Sequence, residues 1–202
     1  MPFSVSSQLS TVVGYAERLA PQSVLDIGTG MGQYGLLLRN SLESVNLFEI
    51  HDNIGWQRPR SEWRIRIDGI EGFAGYITPV HDYSYSNMII CDAIRALKNI
   101  SSNSYDLVLA VDIIEHFDKV DALVFIDECQ RVCSKGLLIA TPREFIVQDV
   151  PANPLENHRS HWTEDDFRGF GFSEFLSDDF SIIATFKSFQ LNMIRDTTLA
   201  LF

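Results

Sequence analysis

The stretch Val24-Leu25-Asp26-Ile27-Gly28-Thr29-Gly30-Met31-Gly32-Gln33-Tyr34-Gly35 constrains this chain more than any other. An apolar run carrying one acid ends in a glycine-rich turn, and the apolar positions Leu36, Leu37 and Leu38 follow. That order predicts a buried parallel strand, a tight turn and the start of a helix. Glycine permits positive φ and lets a ligand approach the backbone without interference from a Cβ atom. Phosphate-binding loops use this geometry, and so do loops that hold an uncharged nucleoside. An acid ahead of the first glycine favours the second kind of ligand.

Periodicity along the rest of the chain extends the pattern. Strands are predicted at Ser23–Ile27, Arg64–Ile70, Met88–Cys91, Tyr105–Val111 and Gly136–Ala140. Helices are predicted over residues 6–20, Gly32–Leu42, Asp92–Leu97 and Lys119–Cys133. Thr163 caps a further short helix, with Asp166 at the third position of a capping box. Residues 43–64 read as an insertion or long connection, and the polar stretch 143–162 as a loop able to serve as a lid. The tail carries strand-like runs at Phe172–Leu176, Ile182–Phe186 and Phe189–Met193. Strands alternating with helices imply a three-layer α/β domain around a mainly parallel sheet. The 202 residues suit one domain, 1–202, with a helix in residues 1–20 at its start.

Charge narrows the partners. Lys and Arg number 16 against 27 Asp and Glu, a formal net charge of −11. Such a chain repels phosphate backbones, so no nucleic-acid partner is expected. Arg58, Arg60, Arg64 and Arg66 approach a basic patch, but Pro59, Glu62 and Trp63 interrupt it and it reads as a solvated face. Cys91, Cys129 and Cys133 form an odd set without paired spacing, which points to a reducing compartment and buried apolar roles. The N-terminus lacks the pattern of a signal peptide, and no run reaches membrane-spanning length. A cytoplasmic location and no membrane partner are expected.

In α/β sheets ligands bind beyond the carboxyl ends of the strands. Strand one ends at Asp26, strand two at Glu71, strand three at Asp92-Ala93 and strand four at Asp112-Ile113. Carboxylates only accept hydrogen bonds, so acids along one sheet edge suit a cation or a ligand rich in hydroxyl and amine donors. S-adenosylmethionine has a positive sulfonium, two ribose hydroxyls, amines at both ends and no phosphate. The segments VLDIGTGMGQYG, RIDGIEGF, IICDAI and VDIIEHF, spread over residues 20–142, resemble the successive motifs of class I S-adenosylmethionine-dependent methyltransferases of the small-molecule type. The resemblance implies a Rossmann-like α/β/α sandwich with seven strands in the order 3-2-1-4-5-7-6, strand seven antiparallel. It implies that Asp26, Gly28 and Gly30 pack on the methionine moiety. Glu71 would take the ribose hydroxyls, Asp92 the adenine amine with Ala93 as a backbone donor beside it, and Asp112 with Ile113 would line the transfer cleft.

One spacing departs from the usual pattern. A ribose-binding acid commonly follows the glycine loop by about 20 residues. Glu49 sits at that distance and Glu71 much further on, yet Glu71 ends the better strand. The order Gly30-Met31-Gly32-Gln33-Tyr34-Gly35 also fits G-x-G-x-x-G, the mark of an NAD(P) site, but that reading puts Asp26 inside a buried strand, where an unpaired carboxylate is costly. On the acceptor side, His116 and His158 are the candidate catalytic residues, with Trp162 a further candidate for acceptor contact. His116, His158 and His161 lack a tight ligand pair, and no metal is expected. The expected activity is methyl transfer from S-adenosylmethionine to a small-molecule acceptor. The alternative is a non-catalytic module that binds the cofactor or a partner.

Overall fold

The computed structural model describes residue 4 and residues 6–44 and 47–188. The chain lays down β1 (Ser23–Ile27), a hairpin of β2 (Phe48–His51) and β3 (Ile54–Gln57), then β4 (Arg66–Glu71), β5 (Asn87–Ile90), β6 (Tyr105–Val111), β7 (Cys133–Pro142), β8 (Glu174–Leu176) and β9 (Ser181–Lys187). Seven of these form one sheet in the order β5-β4-β1-β6-β7-β9-β8. β9 runs antiparallel to both of its neighbours, and the pairs from β5 to β7 are parallel. This is the strand order that the motifs imply.

Alternation inside the central strands builds the three layers. Leu25, Ile27, Val108 and Ala110 face one core, closed by α4 (Ala93–Leu97) and α5 (Lys119–Val132) through Leu97, Phe125, Ile126 and Cys129. Val24, Leu107 and Leu109 face the other core. There α1 (Leu9–Leu19) and α2 (Gln33–Leu42) bring Val12, Ala16 and Leu38. Strands buried on both faces read as continuous apolar runs, which is why β1 and β6 match their predicted limits. Two short helices remain, α3 (Pro79–Ser84) and α6 (Glu164–Gly169). The latter has the capping box from Thr163 and Asp166.

Several boundaries differ from expectation for identifiable reasons. β4 begins at Arg66 because the backbone N–H groups of Arg64 and Ile65 are taken by the Glu43 carboxylate. β7 is longer than Gly136–Ala140, since its pairing with β9 carries it to Pro142. Gly32, at φ 89°, caps α2 without joining it. The stretch 43–64 holds the separate β2–β3 hairpin. Its arginines are dispersed: Arg58 pairs with Glu49 and Glu62, while Arg60 donates to the Asp82 and Tyr85 carbonyls. Cys129 and Cys133 are fully buried, and Cys91 is half-buried. The run at Phe189–Met193 lies outside the described residues. Among the described residues no helix is long and apolar enough to cross a membrane.

Candidate active site

A cavity of about 420 Å³ opens at the carboxyl ends of β1, β4, β5 and β6. The turn after β1 forms one wall, with Gly28 at φ 75° and Gly30 at φ 53°. The N–H groups of Gly28 and Thr29 donate to the Ile70 carbonyl at 2.9 and 3.2 Å, so the turn is pinned to the end of β4. A Cβ on Gly28 would meet the Ile113 side chain at 2.9 Å, which accounts for glycine there.

Glu71 is the best-organised acid of the wall. Its Oε2 accepts from the Gly30 N–H at 2.8 Å and its Oε1 from the Phe73 N–H at 2.8 Å. A carboxylate offers about four acceptor positions, so both oxygens keep capacity for a ligand. Burial raises the Glu71 pKa, and the two backbone N–H groups oppose that rise. Beneath the turn, His81 Nδ1 accepts from the Thr78 N–H at 3.1 Å. The His81 proton is therefore on Nε2, which donates to the Thr29 hydroxyl at 3.2 Å. Asp92 ends the next strand and caps α4 by accepting from the Arg95 N–H at 2.9 Å, with Ala93 beside it in the wall. Asp112 has left-handed backbone, φ 52°, and accepts from Gln8 Nε2 at 2.7 Å. Burial raises its pKa as well.

Asp26 stands apart from this set. It does not line the cavity; it lies behind the turn, 2% exposed, where it accepts from the Tyr85 hydroxyl at 2.5 Å. The same Tyr85 oxygen accepts from the Gly35 N–H at 3.1 Å. Asp26 thus holds the first turn of α2 in place through Tyr85. Burial raises its pKa to about 6 from an ordinary 3.8, against the Tyr85 hydrogen bond and aided by Glu71. Between those values the folded chain holds a proton that the unfolded chain has lost. Stability therefore falls as pH rises from about 4 to about 6, by roughly 3 kcal/mol in all. In urea melts, Asp26→Asn is expected to equal the parent near pH 4 and to exceed it at pH 8. Parallel pH profiles for the two proteins would contradict this.

The part of the cavity around His116 is built by a 3-10 turn, Ile114–His116, and by the loop after β7. His116 lines the cavity, and its ring centroid lies 5.1 Å from that of His158. His158 itself does not line this cavity; it lines a smaller neighbouring depression, with Glu115. The loop is stitched to the turn: the N–H groups of Arg159 and Ser160 donate to the Glu115 carbonyl at 2.8 and 3.1 Å. These two bonds anchor residues 159 and 160 of the 143–162 stretch to the turn. Trp162, expected as an acceptor contact, does not line the cavity. It is 1% exposed, packs on Phe167 and donates through Nε1 to the Ser160 hydroxyl at 2.8 Å.

No protein-family model matches this sequence, and no curated protein does. Solved structures do. The methyltransferase domain of bacterial CtHen1 superposes with a TM-score of 0.58 at 18% identity, over 90% of this chain and 98% of that one. A SAM-dependent methyltransferase from Archaeoglobus fulgidus gives 0.53 at 15% identity, over 89% of this chain and 94% of its own. Magnesium protoporphyrin IX methyltransferase from Synechocystis PCC 6803, with bound SAH, gives 0.58 at 15% identity, over 89% and 81%. The fold is that of the S-adenosylmethionine-dependent methyltransferases.

Within this methyltransferase fold the last glycine of the G-x-G-x-x-G match has a packing role, since a Cβ on Gly35 would lie 2.2 Å from the Tyr85 ring. Glu49 is on the exposed hairpin, paired with His51 and Arg58, and is not in the cavity wall. The wall also includes Gln33, Tyr34, Asn153 and Arg159, none of which the sequence placed among the cofactor-binding or catalytic candidates. Gln33 and Tyr34 belong to the glycine motif itself, and Asn153 and Arg159 to the polar loop. Only the closure of the fold shows which of their side chains turn inward.

Proposed function

We propose that this chain is an S-adenosylmethionine-dependent methyltransferase acting on a small-molecule acceptor. The observation that carries the reading is the convergence of Glu71, Asp92 and Asp112 with the Gly28–Gly30 turn around one cavity. Acceptor-only side chains complement the hydroxyls and amines of this cofactor. Gln33 Oε1 adds to the fit, as a buried acceptor in the same wall without a hydrogen-bond partner among the described residues.

The bound cofactor would supply an activated methyl group on its sulfonium. Glu71 takes the two ribose hydroxyls on its remaining acceptor positions. Asp92 accepts from the adenine amine with the Ala93 N–H alongside, and Gly28 and Gly30 allow the methionine end to lie against backbone. Asp112 and Ile113 form the floor where the acceptor meets the methyl group. The protein's main work is to align the acceptor and exclude water. Burial lowers the pKa of His116, so its ring is neutral at pH 7. Its Nδ1 lies 3.3 Å from the Asn157 carbonyl. With the Nδ1 proton held there, Nε2 is available to accept a proton from the acceptor. His158 packs behind it.

Calorimetric titration with S-adenosylmethionine, joined to a survey of small O-, N- and S-nucleophiles for S-adenosylhomocysteine release, tests this reading. Binding at micromolar concentration with turnover of at least one acceptor is expected. No binding at about 1 mM sinks the proposal. Binding without turnover on any acceptor favours a cofactor-binding module.

A further inference from the structure

We propose that Glu115, His116 and His158 form a binding site for one divalent first-row transition cation at the edge of the cavity that His116 lines. The site is separate from the carboxylates that face the cofactor. Each of the three residues offers one ligand atom, and these atoms lie within 4.8 Å of one another. Small side-chain rotations bring such a set onto one ion with bonds near 2.1 Å. No histidine pair close in sequence announces the site. Glu115 and His116 come from the turn after β6, and His158 arrives from the loop after β7 because the Glu115 carbonyl holds Arg159 and Ser160.

Two further observations point to a cation. Both histidines place Nδ1 against a backbone carbonyl, His116 at 3.3 Å from Asn157 O and His158 at 2.6 Å from Ile146 O. A carbonyl can only accept, so each Nδ1 carries the proton and each Nε2 presents a lone pair. That second-sphere arrangement fixes the tautomer and ring plane of metal-ligating histidines. Glu115, for its part, is 3% exposed and accepts from the Thr141 hydroxyl at 3.0 Å. A carboxylate this deeply buried is costly without a positive partner, which a cation would supply.

The donor set selects the ion. Two imidazoles and a carboxylate suit zinc, manganese, iron or cobalt, whereas calcium and magnesium prefer all-oxygen sites. Three protein ligands leave coordination positions open. Because His116 lines the cavity, an acceptor oxygen can fill one of them, which would orient it and ease loss of its proton. With the ion bound, the Nε2 lone pairs are committed, and the histidines position the acceptor through the metal without acting as bases. This role in catalysis rests on the methyltransferase reading; the binding site itself does not.

The test is titration of the EDTA-treated full chain with Co2+, followed by its visible absorption, and with Zn2+ in competition. One equivalent of Co2+ is expected to bind with d–d bands of nitrogen and oxygen ligation, and Zn2+ to displace it. His158→Ala and Glu115→Gln are each expected to weaken binding on the order of 100-fold. His161→Ala, which removes a surface imidazole outside the set, is expected to leave it unchanged. Circular dichroism and thermal melts of each variant check that the fold persists. Absence of stoichiometric Co2+ binding overturns the site, as does binding that survives His158→Ala and Glu115→Gln together. Cation binding without cofactor binding would instead reject the methyltransferase reading and leave the site standing.

Discussion

Replacing Glu71 with alanine is expected to weaken S-adenosylmethionine binding about 10²- to 10³-fold in calorimetric titration, while Glu49→Ala leaves it within about twofold. Hydrogen bonds to an ionised group contribute roughly 1.5–3 kcal/mol each, and two ribose hydroxyls would be lost together. The carboxylate also ties the Gly30 and Phe73 N–H groups to one another, so its loss loosens the turn on which the cofactor lies. Glu71→Gln separates these effects, since the amide keeps an acceptor oxygen and the side-chain shape but no charge. An intermediate affinity is expected for it. Glu49 faces solvent on the hairpin, with its side chain 41% exposed. Equal losses in the Glu71 and Glu49 variants would reject the placement of the ribose at β4.

Glu43→Ala is expected to lower the melting temperature by about 10 °C or more. The Glu43 side chain is fully buried, and its Oε1 accepts from the Arg64 N–H at 2.6 Å, from the Ile65 N–H and from Arg39 Nη1 at 3.4 Å. Alanine leaves two backbone donors and a guanidinium, 1% exposed, without their shared acceptor. Breaking a buried pair from one side costs about 3–5 kcal/mol, and each kcal/mol is worth about 2–4 °C in a chain of this size. The double variant Glu43→Ala with Arg39→Met removes the stranded charge and is expected to recover part of the loss in thermal melts. A melting point unchanged in Glu43→Ala would show that water replaces the carboxylate without cost.

Much of the sheet is readable because its central strands are buried on both faces, and a short apolar run between turn residues fits little besides such a strand. The strand-end acids are readable for a related reason: the sheet geometry decides which residues meet, and the sequence shows what each strand ends with. The hairpin is hidden because its strands have no buried face. Phe48, Ile50 and Trp56 are all more than half exposed, so no alternation of apolar and polar residues marks them. Asp26 reads as a ligand contact because it adjoins the glycines, yet its partner, Tyr85, follows a helix far along the chain. Trp162 reads as a pocket residue because its neighbours in sequence are polar, whereas its neighbours in space are Phe167 and Phe170. In the sequence Glu115 is no more than the companion of His116. Its nearness to His158 depends on two hydrogen bonds that no spacing rule contains.

The clasp at Glu43 also bears on how this chain tolerates variation in length. The excursion that carries the β2–β3 hairpin ends at a junction that Glu43 closes from one side and residues 64 and 65 from the other. Loop closure costs only about 0.6 kcal/mol for each doubling of length. The exposed β2–β3 hairpin between the two ends is thus nearly free to lengthen, shorten or change its surface, while Arg60 stays tied to the Asp82 and Tyr85 carbonyls and the junction delivers Arg66 into register with Ser23. The distance in sequence from the glycine turn to Glu71 is accordingly a property of the excursion, and the distance in space is a property of the sheet.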